Sequence, residues 1–199
     1  MIRQIYFFGL GLLSATWFGA ALSACSSSSD GNGNLGGSTQ TGTSGGSGDL
    51  ANCTPNLKCM PVAPNTGDPY ADCVARVNQF RACACKPPLM QDNDGQMCAD
   101  QQAAYDAMNG TPHGGFGANI CMPQFFAQNE CPGYGSQAQT IGQCAQQMFD
   151  EGPGPTDPCD GACYQAHGHF INMTGNYTKV TCGYGQDSAG KWWAVQNYR

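Results

Sequence analysis

The chain has 199 residues, 8 basic against 14 acidic side chains, a formal net charge of −6 and 13 cysteines. No basic patch interrupts the acidity, so a phosphate backbone would be repelled and nucleic acid is excluded as a partner. Cysteine use this dense points to an oxidising compartment in which cysteines pair as structural bridges.

Residues 1–24 read as a secretion signal. Arg3 is its only charge, and the apolar run 5–22 follows. That run is long enough to span a bilayer. However, Leu22-Ser23-Ala24-Cys25 looks like a lipobox, the bacterial signal for cleavage before a cysteine that is then acylated. The expectation is a chain held to a membrane through lipid on Cys25, at a bacterial outer membrane or cell surface. Residues 26–49 are Ser- and Gly-rich and cannot build a core, so they should act as a flexible tether with a reach of roughly 27 Å. The expected organisation is therefore a signal at 1–24, a lipidated cysteine with its tether at 25–51, and one domain at 52–199.

That domain carries every cysteine except Cys25. The number is even, so complete pairing is possible, though connectivity cannot be read from sequence. Structural bridges are preferred over zinc. Only Cys83-Ala84-Cys85 is closely spaced, and no CxxC pair occurs.

Asp68-Pro69 should open a first helix, Asp as N-cap and Pro in the first turn. Tyr70, Cys73, Val74, Val77 and Phe80 then recur at helical spacing, and "KPPL" ends it. A second helix is expected near 95–108, with Met97, Gln101, Ala104, Tyr105 and Met108 on one side and a stop at Asn109-Gly110. A third should span 136–150, burying Ile141, Cys144, Ala145, Met148 and Phe149. "EGPGPTDP" breaks it, and a short fourth helix should carry His167 to Thr174. Two strands follow at 179–185 and 191–198, joined by "QDSAG". Helices first and a terminal hairpin last imply an α+β domain with antiparallel strands.

His167 and His169 stand two apart. On a helix they diverge, and on a strand they share a face. Trp192 and Trp193 point to opposite faces if their run is a strand.

Several short motifs in one order carry a resemblance. "GHFINM" (168–173) resembles the GH(F/Y)xxM signature of the CAP domain family, also called the SCP or cysteine-rich secretory, antigen 5 and pathogenesis-related 1 family. "YTKVTCGYG" and "WWAVQNY" resemble its last two strands. "VNQFR" resembles the Asn-x-x-Arg of its first helix, and "CADQQAAYDAMNGTPH" resembles its second helix leading to a histidine. The resemblance spans about 69–199. It implies a three-layer α-β-α sandwich, disulfide-rich, with a cleft lined by two histidines and two glutamates. Carried over position by position, these are His113, Glu130, Glu151 and His169. The surroundings of Glu130 depart from the family pattern: Asn129 replaces Gly before it and Cys131 replaces Asn after it. Gln196 stands where many animal members have cysteine.

Two imidazoles and two carboxylates in one cleft can hold zinc or another divalent cation, with His113 and His169 as ligands beside Glu130 and Glu151. The resemblance also implies lipid, sterol or cell-envelope ligands. A binding module is the favoured expectation. The alternative is a metal-dependent hydrolase of peptide or cell-wall substrates, with a glutamate as general base. No HExxH is present, and no Gly-x-Ser-x-Gly lies within the domain at 52–199.

Overall fold

A computed structural model describes residues 50–199, so the expected signal, the lipidated Cys25 and the tether lie outside the described residues. The elements in chain order are α1 (Pro69–Cys83), β1 (Met90–Gln91), α2 (Gln96–Asn109), α3 (Gly114–Gly117), β2 (Ala127–Tyr134), α4 (Gln137–Gln139), α5 (Ala145–Asp150), α6 (Gly161–Thr174), β3 (Lys179–Gln186) and β4 (Trp192–Tyr198). A π-helical turn, Thr140–Cys144, joins α4 to α5, so the expected third helix is one rod with a wide turn inside it.

The sheet has the order β1-β3-β4-β2. The β3–β4 hairpin and the β2–β4 pair are antiparallel, and the short β1 adds in parallel to β3. Side chains alternate along β3. Val180, Cys182 and Tyr184 enter the larger core with Phe80, Phe149, Met173 and Tyr198. Gly183 and Gly185 face the other way, against α2. A Cβ on Gly183 would fall 2.1 Å from the backbone carbon of Ala99, and one on Gly185 would fall 2.6 Å from Ala104 Cα. Only glycine lets the helix backbone lie this close. Ala99, Ala103 and Val195 fill that thin second interface. With helices on both faces, the sheet is the middle layer of an α-β-α sandwich.

Most helix expectations hold. Asp68 caps α1, accepting from the backbone N–H groups of Tyr70 and Ala71 at 3.0 and 3.2 Å. Ser136 caps α4, Gly110 ends α2 in the left-handed conformation, and the stripe from Ile141 to Phe149 is buried. The Asn-x-x-Arg motif has a physical reason. Asn78 exchanges two hydrogen bonds with the Leu89 backbone, and the buried Arg81 donates to the carbonyls of Pro87, Met173 and Gly175, holding the end of α6 against α1.

Two expectations change, and the packing decides which side of α2 is buried. The side of α2 bearing Met97, Gln101, Tyr105 and Met108 faces solvent, with Met97 71% and Met108 81% exposed; the buried face is Cys98, Ala99, Gln102, Ala103, Asp106 and Ala107. The fourth helix starts at Gly161, ahead of His167. Two strands beyond the hairpin, β1 and β2, complete the sheet. In β2, "AQNECPGY" offers no alternation and contains Pro132, which an edge strand with an irregular register between Cys131 and Tyr134 accommodates.

All twelve cysteines of the described residues are paired: Cys53–Cys85, Cys59–Cys83, Cys73–Cys182, Cys98–Cys121, Cys131–Cys144 and Cys159–Cys163. No helix among the described residues is long and apolar enough to cross a membrane.

Candidate functional site

The edge strand β2 builds the site because its alternating residues reach both outer layers. Gln128 and Glu130 are two apart and point to the α2–α3 side, while Asn129 between them points to α6. Asn129 donates to the His169 carbonyl at 2.9 Å, and Asn172 on α6 donates back to Gln128 O and Asn129 Oδ1 at 3.2 and 3.1 Å. These amides fasten α6 to the strand, and His169 rides on that helix.

His113 arrives from the other side. It precedes α3 in the left-handed conformation, φ 61°. Its backbone N–H donates to Glu130 Oε2 at 2.5 Å, which holds that conformation. Its ring Nδ1 lies 2.8 Å from Gln128 Oε1. Gln128 donates its own amide hydrogens to Gln102 and Asn197, at 3.1 and 2.9 Å, so its oxygen is the acceptor and His113 Nδ1 carries the proton. At His169 the partner is Glu151: Oε1 lies 2.5 Å from Nδ1, and Oε2 accepts from the backbone N–H groups of His169 and Phe170 at 3.0 and 3.4 Å. In the neutral form each ring therefore bears hydrogen on Nδ1 and keeps an unprotonated Nε2.

The structure thus sorts the four expected residues into two pairs. His113 and His169 line one cavity of about 380 Å³, along with Phe116, Phe126, Ala127, Gln128, Tyr164 and Asn172. Glu130 and Glu151 do not line it; each sits behind its histidine. His167 stands apart, its Nδ1 within 2.6 and 3.1 Å of the carbonyls of Glu151 and Gly152. On a helix, two positions separate the rings onto different faces, so the HxH pair is not a clamp.

Glu130 is 4% exposed, and its neighbour across the interface is Asp106 of α2. Asp106 Oδ1 accepts from Gly115 N–H at 2.6 Å. Burial pushes Glu130 up to about 8, and the nearby Asp106 carboxyl adds to the rise. Burial also lifts Asp106. Asp106 Oδ2 and Glu130 Oε1 meet no other donor. A proton held between the two carboxyls satisfies both, as expected when like charges share a buried site.

Sequence reading missed Gln128, Asn172, Gln102, Asn197, Asp106 and the aromatic walls. Neutral amides carry no motif of their own. The available signal was the two-residue spacing of Gln128 and Glu130, which puts them on one face only once β2 is recognised as a strand.

Among the described residues no group of three or more His, Cys, Asp or Glu side chains is arranged to hold a metal ion. No curated protein matches the chain. The family model of the cysteine-rich secretory protein family, CAP, matches residues 74–198, and this span takes in β2, β3, β4, both cleft histidines and both glutamates. The chain therefore belongs to the CAP family, with the α-β-α fold and six disulfides described above.

Proposed function

We propose that the chain is a CAP-type binding module whose cleft takes a small amphipathic ligand of lipid or sterol type. One observation carries this reading. The cavity that both imidazoles line is walled on its other sides by Phe116, Phe126 and Tyr164. Such a site offers apolar area for the body of a ligand and two acceptor nitrogens for a hydroxyl head, and about 380 Å³ falls in the ordinary range for small-molecule sites. The proposal includes an exported module held to an outer membrane or cell surface by lipid on Cys25. The lipobox-like Leu22-Ser23-Ala24-Cys25 and the pairing of all twelve cysteines among the described residues support it.

The direct test is transfer of a fluorescent sterol from neutral vesicles to the full chain. Phe126→Asp and the double variant His113→Ala/His169→Ala should each weaken binding at least tenfold. Unchanged transfer by both variants would remove the proposal.

A second reading rests on the free Nε2 atoms. His113 and His169 would hold zinc or another divalent cation as a two-nitrogen, open site, with Gln128 and Glu151 orienting the rings from behind. The residues fit such a site but not the four-ligand set of the sequence expectation, because neither glutamate lines the cavity. A bound ion would supply Lewis-acid polarisation of a ligand oxygen. Calorimetric titration with zinc should show a site that His169→Ala abolishes. The hydrolase alternative would need a general base facing the cleft. Glu151 has both oxygens engaged by His169 and backbone amides, and Glu130 lies buried behind His113.

A further inference from the structure

The segment Cys159-Asp160-Gly161-Ala162-Cys163 belongs to no part of the cleft. Its disulfide closes the shortest ring in the domain, with a sequence separation of 4. A ring this small restricts the unfolded chain least, so the bond adds the least to stability of the six. A structural staple is therefore a poor explanation for it.

Three features surround the bond. First, Cys159 lines a cavity of about 580 Å³ whose other walls are the loop 153–158 and Ile171. Cys163 does not line it. Second, Cys163 lies in the first turn of α6, where Asp160 at the N-cap makes no side-chain capping bond. The Cys163 N–H donates to the Asp160 carbonyl at 3.0 Å, and the dipole of that helix end favours negative charge. Third, the Thr156 hydroxyl donates to Cys163 Sγ at 3.4 Å. The backbone closes over the bond at Gly154, φ 81°, where a Cβ would fall 2.7 and 2.8 Å from the two sulfurs and 3.3 Å from His167 Cδ2. The two cysteines are thus unlike: Cys159 lines a cavity, and Cys163 has a donor and a helix end to take up charge.

We propose that Cys159–Cys163 is a thiol–disulfide exchange site for a small alkyl thiol. The thiolate enters the cavity and donates its electron pair to Cys159 Sγ, forming a mixed disulfide there. The Cys159–Cys163 bond breaks, and its electron pair leaves on Cys163 Sγ as a thiolate, which later takes a proton from water. No net oxidant is required. The incoming thiol is oxidised to the mixed-disulfide level as Cys163 is reduced. Asp157 on the cavity wall and the exposed Asp160 beside it disfavour an anionic thiol, so the site selects neutral or cationic ones.

The experiment treats the full oxidised chain with cysteamine, quenches with iodoacetamide at intervals and maps every cysteine by peptide mass spectrometry. The expected first product carries cysteamine on Cys159 and carbamidomethyl on Cys163. It should form at least tenfold faster than any product at Cys53–Cys85, although Cys53 is exposed and Cys159 and Cys163 are half-buried. At equal thiolate concentration 3-mercaptopropionate should react several-fold slower. Thr156→Val should slow the exchange threefold or more with an unchanged melting temperature. Equal rates at Cys53–Cys85, an adduct mainly on Cys163, or an unaltered rate in Thr156→Val would each overturn the proposal.

Discussion

His113 and His169 were legible because each follows or sits in a short motif, but what they do depends on residues with no motif. Gln128 fixes the proton on His113 only because Gln102 and Asn197 take its amide hydrogens. Glu130 looked like a cleft ligand and is instead a buried acid behind the ring. Its pH behaviour follows from the sign of its shift. The folded-state value of about 8 lies above the ordinary glutamate value, so the fold binds a proton that the unfolded chain has released. Stability from this group is fully present below the unfolded value near 4.5 and is lost as pH rises toward 8. Thermal melts should show the parent losing several degrees between pH 5 and pH 8, on the order of 1–3 kcal/mol. Glu130→Gln should flatten that dependence. A parent whose melting temperature rises over the same range would contradict the assignment.

At the scale of elements, the periodicity of α2 was visible but its burial was not. The large residues Met97, Tyr105 and Met108 form one side, and hydrophobicity alone would turn that side inward. Packing against β3 reverses it, because Gly183 and Gly185 bring the sheet so close that only Ala99 and Ala103 fit. Gly183→Ala should therefore destabilise by at least about 1–3 kcal/mol through forced displacement of the helix. The equivalent change at Gly117, where nothing lies within 4 Å of a Cβ, should be far milder. Urea denaturation of both variants checks this. The helices α1 and α4–α5 were legible from caps and stripes, which are local. Strand β2 was not, since its pairing to β4 supplies what its own sequence lacks.

Across the whole molecule, the longest bridge joins α1 to β3, Cys73 to Cys182, over a sequence separation of 109. It clamps the outer helix onto the middle layer in the centre of the larger core. In the chain-entropy account its loss should cost about 4–5 kcal/mol. The double variant Cys73→Ala/Cys182→Ala, compared with the parent in guanidinium, should show that scale of loss, and a drop below about 1 kcal/mol would contradict the chain-entropy account for this bridge. By itself the sequence determined the cap of α1, the stop of α2, the terminal hairpin, the even cysteine count of residues 52–199 and the two histidines, because caps, turn residues and alternation act over a few positions. The tertiary structure decided the disulfide pairing, the outward face of α2, the edge strand, and the withdrawal of both glutamates from the cleft. Each of these depends on which distant backbone approaches, and only the folded chain sets that.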